Sequence, residues 1–204
     1  MTHITYPASI APPEPYKALI FDCDGTLADT MPSHARSWVE TYRAAGIEIS
    51  TEPFLRMGGI PNRTIIETLN RELSVDLEVD PTQHDKERRY LDLLHAVTEI
   101  EAVANVARAH YGKIPMAVAS SGMGHIVRQT LTYTGLISLF DAVVTADDVV
   151  NGKPAPDIFL LAADRLNAAP ADCIVYEDGD PGLEAAHRAG MRAVDVRVLW
   201  QPPR

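Results

Sequence analysis

The stretch ALIFDCDGTLADT, residues 18–30, opens on four apolar residues, ends them with Asp22 and Asp24, and drops at once into a glycine. An apolar run of that length without polar alternation reads as a strand buried on both faces of a sheet. Four more runs are strand-length, several of them β-branched without polar alternation: MAVAS (116–120), AVVTAD (142–147), CIVYED (173–178) and RAVDV (192–196). Between them lie helix-like segments at 124–134 closed by Gly135, at 156–168 followed by Pro170, and at 181–189 opened by Pro181 and closed by Gly190. Alternation of strand and helix predicts an α/β fold, a doubly wound Rossmann-like parallel sheet.

One gap breaks the rhythm. Almost a hundred residues separate the first strand from the second, and none of them reads as a strand. Within the gap, Trp38, Val39, Tyr42 and Ala45 mark one helical face, Ile65, Ile66, Leu69 and Leu73 a second, and Tyr90, Leu94 and Val97 a third. The expected organisation is a core of residues 16–30 and 98–204, an inserted helical cap domain over 31–97, and a proline-rich tail over 1–15.

Composition narrows the function classes. At 204 residues the chain suits one core with an appendage, with 46% apolar and 23% charged residues. No apolar run approaches bilayer length, and the N-terminus carries no basic-then-apolar leader, so a cytoplasmic protein without membrane contact is expected. A net charge of −10 argues against nucleic acid as a partner. Cys23 and Cys173 read as two reduced thiols rather than a disulfide. With no evident interface stripe, a monomer is expected.

In open α/β sheets, ligands sit outside the carboxyl ends of the strands. There the first strand places Asp22 and Asp24, the second Ser120 and Ser121, the third leads to Lys153, and the fourth ends in Glu177 and Asp178. Four carboxylates in one cleft repel unless cations hold them ionised, and oxygen ligands of this kind suit Mg²⁺, which keeps places for water and a phosphate oxygen. The pattern points to phosphoryl chemistry on a small phosphorylated metabolite. Asp22 is placed to act as a nucleophile forming an aspartyl phosphate, and Asp24, on the same side of an extended segment, to protonate the leaving oxygen and then activate water. Gly25 permits the sharp turn, while the Ser120 hydroxyl, the Ser121 N–H and the Lys153 ammonium are placed to hold phosphoryl oxygens.

FDCDGT, VASS, GKPAPD and YEDGDPG, in that order, resemble the four signatures of the haloacid dehalogenase superfamily of phosphohydrolases. FDCDGTLADT, FDAVVTADDV, GKPAPDIFLLAA and VYEDGDPGLEAA are further similar to its β-phosphoglucomutase-like branch, particularly the fructose-1-phosphate phosphatase-like members. The resemblance implies Asp22 as nucleophile and Mg²⁺ ligand, Asp24 as acid/base and carbonyl ligand, and Asp178 with Glu177 completing the metal site. It also implies that His34, just inside the cap, meets the substrate side of the reaction and couples cap closure to catalysis.

One departure decides between activities. The mutase cap carries Gly-x-Ser-Arg for a second phosphate, whereas this chain has Gly59, Ile60, Pro61, Asn62 and Arg63. The displaced arginine favours a phosphatase of sugar phosphates, with Asn62 and Arg63 as substrate contacts, over a phosphosugar mutase; a phosphoglycolate phosphatase is the other alternative. A phospho-aspartate switch is disfavoured by Asp24 and by the large cap, and dehalogenation by the metal site. Lys86, in the charged run 84–89, reads as exposed. Gly122-Met123-Gly124 lacks the third glycine of a dinucleotide fingerprint, Val127 standing there.

Overall fold

The computed structural model describes residues 4–58 and 60–200. Its strands are β1 (Ala18–Phe21), β2 (Ala28–Asp29), β3 (Thr98–Glu99), β4 (Met116–Ala119), β5 (Ala142–Val144), β6 (Cys173–Glu177) and β7 (Arg192–Asp195). Its α-helices are α1 (Met31–Ala44), α2 (Glu52–Arg56), α3 (Asn62–Leu73), α4 (Val79–Asp92), α5 (Glu101–His110), α6 (Gly124–Tyr133), α7 (Asp157–Arg165) and α8 (Asp180–Arg188). Among them, no helix is long and apolar enough to cross a membrane. Chain contacts divide the protein into two compact units, Thr30–Val97 and the segments on either side of it.

The second of these is the α/β unit. Five parallel strands stand in the order β5-β4-β1-β6-β7, with Phe21 opposite both Val118 and Tyr176. Because successive side chains point to opposite faces, one face takes Leu19, Phe21, Met116, Val118, Ile174 and Tyr176 against Val103, Val106 and Ala107 of α5 and Val127 and Leu131 of α6. The other takes Ala18, Ile20, Ala117, Ala119, Cys173 and Val175 against Ile158, Phe159 and Ala162 of α7 and Ala185 and Ala186 of α8. With helices on both faces, every residue of β1, β4 and β6 is buried, which is why no polar alternation marks them. The sheet is doubly wound. The chain leaves this unit after β2 and returns at β3, and these two strands pair antiparallel, Ala28 opposite Glu99 and Asp29 opposite Thr98.

Two features differ from the sequence expectation. The proline-rich stretch is not a detached tail: Ile10 is fully buried in the β1 face of the core, and its carbonyl accepts the Tyr176 hydroxyl at 2.9 Å. Arg192 donates to the carbonyls of Pro13, Glu14 and Pro15. Prolines leave carbonyls without in-register partners, so a guanidinium with five donors satisfies several at once. The other feature is α5, which packs Val103, Ala104, Val106 and Ala107 into the core directly after the insertion.

The Thr30–Val97 unit is helical. Trp38 stacks on Phe54 with centroids 5.4 Å apart and planes 2° from parallel, and Tyr42, Ile65, Ile66 and Leu69 close the cluster. Helix α4 offers mainly Tyr90, while Lys86 and Glu87 are also buried. The third face read from the sequence is shifted: α4 stops at Asp92, and Leu93 rather than Leu94 is buried.

Ile10→Ala removes a fully buried side chain and is expected to destabilise the protein by about 2 to 5 kcal/mol. Ile4→Ala, at an exposed position of the same segment, is expected to stay within about 0.5 kcal/mol. Urea unfolding of the two variants beside the parent measures the difference; equal midpoints would mean the segment does not belong to the core.

Candidate active site

The site is built at the carboxyl end of β1. Asp22 N–H donates to Tyr176 O at 2.9 Å, carrying the β1–β6 pairing one residue beyond the strand and fixing the Asp22 backbone. The chain then reverses. Cys23 O accepts from the N–H groups of Leu27 and Ala28, both at 3.0 Å, and Gly25 N–H donates to Ala28 O at 2.8 Å. Gly25 has φ +81°, and a Cβ there would stand 2.3 Å from Asp178 Oδ2, so backbone conformation and space both demand glycine. Thr26, in the same turn, donates its hydroxyl to Asp178 Oδ1 at 3.0 Å.

Lys153, from the loop after β5, brings the cation. Its Nζ donates to Asp22 Oδ1 at 2.6 Å and to Glu177 Oε2 at 2.8 Å, with the side chain 4% exposed. The ammonium also lies 5.0 Å from the Phe159 ring centroid. Glu177 is held on its other oxygen by Gly179 N–H at 3.1 Å, and Gly182 must lack a side chain because a Cβ would stand 2.1 Å from Glu177 Cδ.

One ammonium does not balance the carboxylates. Oxygens of Asp22, Glu177 and Asp178 lie within 4.8 Å of one another. Like charges at that separation repel by at least about 3 kcal/mol at an effective dielectric near 20. Burial, then Glu177, push the Asp22 carboxyl well above its usual range despite the opposing pull of Lys153. Burial and Glu177 also raise Asp178 to about 6, against the Thr26 hydrogen bond. Burial acts to lower Lys153, but Asp22 and Glu177 outweigh it and hold the ammonium above its ordinary value. A buried all-oxygen cluster short of positive charge is one that could hold a metal ion.

The turn after β4 contributes the serines. Ser120 N–H donates to Val144 O at 3.0 Å, its Oγ accepts from Gly122 N–H at 3.0 Å, and it lies 3.5 Å from Asp24 Oδ2. Ser121 follows, half-buried. The structure therefore brings Asp22, Lys153, Glu177 and Asp178 together, and Ser120 with Asp24. Sequence reasoning passed over Thr26 and Gly182, whose signals were a hydroxyl inside the DGT turn and a glycine in the first turn of α8.

The residues expected to meet substrate from 31–97 belong to the other unit. His34 is half-buried, stacked on Tyr90 at 4.0 Å, and its Nδ1 accepts from Lys86 Nζ at 2.8 Å. Lys86 is not the exposed residue its charged neighbourhood suggests: it is 4% exposed, with Nζ 5.4 Å from the ring centroids of both Trp38 and Tyr90. A lysine stem buries its methylenes readily when its ammonium finds an acceptor and aromatic faces. Asn62 opens α3, half-buried, and Arg63 beside it is exposed with Nη2 2.7 Å from Asp80 Oδ1. Arg63, Asp80, Gln83, His84 and Glu87 line one open polar cleft of this unit. Gly59 lies outside the described residues.

Residues 16–190 match the family of haloacid dehalogenase-like hydrolases. The chain belongs to that family. Fructose-1-phosphate phosphatase YqaB of Escherichia coli is 38% identical over 186 residues, 91% of this chain and 99% of that protein. Beta-phosphoglucomutase of Bacillus subtilis is 31% identical over 191 residues, 88% of this chain and 83% of its own. Among solved structures, CbbY of Rhodobacter sphaeroides in complex with phosphate is similar with a TM-score of 0.78 and 28% identity, over 88% of this chain and 85% of that one. The doubly wound parallel sheet is thus the fold of a haloacid dehalogenase-like hydrolase, and the chain is an enzyme.

In this hydrolase Lys153→Met leaves Asp22 and Glu177 buried without their ammonium. The metal-free protein is expected to lose about 3 to 5 kcal/mol of stability at pH 7.5. The sign with pH follows from the carboxyls: a folded-state pKa raised above the unfolded one costs stability above it and is relieved as protons bind. The deficit of Lys153→Met should therefore shrink between pH 7.5 and pH 5, measured by urea unfolding in EDTA.

Proposed function

We propose that the chain is a Mg²⁺-dependent phosphatase that hydrolyses a small sugar phosphate through a phosphoryl group carried on Asp22. The observation that carries this reading is the buried Lys153 ammonium bonded to both Asp22 and Glu177 beside Asp178. A carboxylate so held is oriented for attack, and a cation bound beside it would add the positive charge that Lys153 alone does not supply to keep it ionised. Its oxygen attacks phosphorus, and the bond from phosphorus to the sugar oxygen breaks. Asp24 gives that leaving oxygen its proton. Asp24 then takes a proton from water, whose oxygen attacks the acyl phosphate, releasing inorganic phosphate and restoring Asp22. The Ser120 hydroxyl and Ser121 N–H hold the phosphoryl oxygens while charge moves between them.

The residues fit a hard divalent cation, because two buried carboxylates and a half-buried third face a single ammonium. Asp22, Asp178 and the Asp24 carbonyl would hold Mg²⁺, while Glu177, already bonded to Lys153 and Gly179, orients the lysine. Bound there, Mg²⁺ supplies positive charge against the phosphoryl oxygens.

A phosphatase rather than a mutase is favoured by Arg63, whose guanidinium is engaged by Asp80 instead of standing ready for a second phosphate. The phosphatase name of the 38% identical relative supports a sugar phosphate as substrate. Cys23 and Cys173, both buried and unpaired, suit a reducing cytoplasm, and a monomer is the proposed state.

Asp22→Asn is expected to abolish phosphate release from fructose 1-phosphate, by roughly 1,000-fold or more given what loss of a nucleophile removes. Parent-like turnover in that variant would end the assignment. With β-glucose 1-phosphate, phosphate release should exceed formation of glucose 6-phosphate; the opposite ratio would make the enzyme a mutase, and a marked preference for phosphoglycolate would move the substrate class. Mg²⁺ relieves the same repulsion that protons relieve. It should therefore raise the melting temperature more at pH 7.5 than at pH 5, below the value of about 6 reached by Asp178.

A further inference from the structure

The turn after β4, which carries Ser120 and Ser121, is held from outside by the turn after β5. Asp147 Oδ2 accepts from Gly124 N–H, at the first residue of α6, at 2.9 Å. Beside it, Ala146 N–H donates to Gly122 O at 3.1 Å. Gly122 N–H in turn donates to Ser120 Oγ at 3.0 Å. With one lone pair so engaged, the Ser120 hydroxyl is oriented, its hydrogen left to donate.

The β5 turn is itself fixed. Thr145 donates its N–H and its hydroxyl to Asp148 Oδ2 at 2.8 and 3.0 Å, and Asp148 Oδ1 accepts from Arg165 Nη2 at 2.5 Å. Arg165, on α7, also donates to Val143 O at 3.0 Å. Space is tight where the two turns meet: a Cβ on Gly124 would stand 2.9 Å from Asp147 Oδ2 and 3.1 Å from Thr145 Oγ1, and one on Gly122 would stand 2.8 Å from Val127 Cγ2.

We propose that Asp147 is a positioning residue for the phosphoryl-binding turn, its carboxylate pinning Gly124 N–H and so fixing where Ser120 Oγ and Ser121 N–H stand. The inference rests on the role proposed above for Ser120 and Ser121. Met123, the residue preceding α6, gives no side-chain cap, so the first-turn N–H is served by a carboxylate from another strand's loop. An ordinary helix cap would affect stability alone. A positioning cap also affects how the turn grips phosphate, because Gly122 and Ser120 are bonded within the same network.

The test uses the full chain with Mg²⁺, p-nitrophenyl phosphate as the turned-over ester and inorganic phosphate as competitive inhibitor. Asp147→Ala is expected to lower kcat/KM and weaken phosphate inhibition by roughly ten- to a hundredfold, the range that loss of one charged hydrogen bond spans. Asp147→Asn keeps an acceptor for Gly124 N–H and should stay within about twofold of the parent. Gly124→Ala places a Cβ 2.9 Å from Asp147 Oδ2, so the carboxylate must shift, and phosphate inhibition should weaken. Parent-like kinetics and phosphate inhibition in Asp147→Ala, with Asp22→Asn inactive, overturn the positioning role alone. Equal impairment in Asp147→Asn and Asp147→Ala overturns it too, since charge rather than the bond would then matter. Parent-like turnover in Asp22→Asn overturns the underlying phosphoryl-site reading.

Discussion

The bond pair from Lys153 Nζ to Asp22 and Glu177 is the constraint around which the α/β unit is arranged. A buried ammonium is stable only if its acceptors arrive at hydrogen-bonding distance, since an error of an ångström leaves the desolvation of all three groups uncompensated. Asp22 stands one residue past β1 and Glu177 ends β6, so their spacing is set by the register of two neighbouring parallel strands, while Lys153 reaches them from the loop between β5 and α7. Small residues follow from the same demand. Gly25 and Gly182 stand where a methyl group would overlap Asp178 and Glu177, and Thr26 ties Asp178 in place. Nearly every sequence feature around the site serves to bring charges together that water would otherwise separate.

The sheet was legible because burial on both faces leaves the same trace in its three central strands. KALIFD, MAVAS and CIVYED lack polar alternation for the reason that helices cover both sides of β1, β4 and β6. Helix α5 was less visible: its buried face is built largely from Ala104, Ala107 and two valines, a weak apolar contrast. Strands β2 and β3, of two residues each, are too short for periodicity to register. Ile10 was hidden for another reason, because prolines on both sides of it signal a chain without a ladder while saying nothing about which of its apolar side chains lodges in the core.

At the site, residue types at strand tips gave Asp22, Lys153, Glu177 and Asp178, since carboxylates and a lysine placed after buried runs have few structural explanations. What stayed hidden lay in residues that hold others. Asp147 is one of two adjacent exposed aspartates in its loop, and nothing in the sequence marks its carboxylate as the partner of the first N–H of α6. Lys86 sits in a run of charges that periodicity assigns to solvent, yet its ammonium reaches His34 and lies near two aromatic rings. Charge runs conceal such residues because a long stem lets the head travel far from where the backbone faces.

The two aspartates of the opening stretch end up in different surroundings although only Cys23 separates them. Asp22 is buried, bonded to an ammonium, and fixed through its backbone to Tyr176. Asp24 is half-buried, beyond the last ladder bond, with a serine hydroxyl at 3.5 Å. In the roles proposed for them, a nucleophile gains from being fixed, because its attack geometry is then set before the substrate arrives. A proton carrier gains from reaching water, since it must exchange with solvent between one turnover and the next. The Gly25 turn makes this division, ending the buried strand abruptly enough that one carboxylate remains inside it and the other emerges.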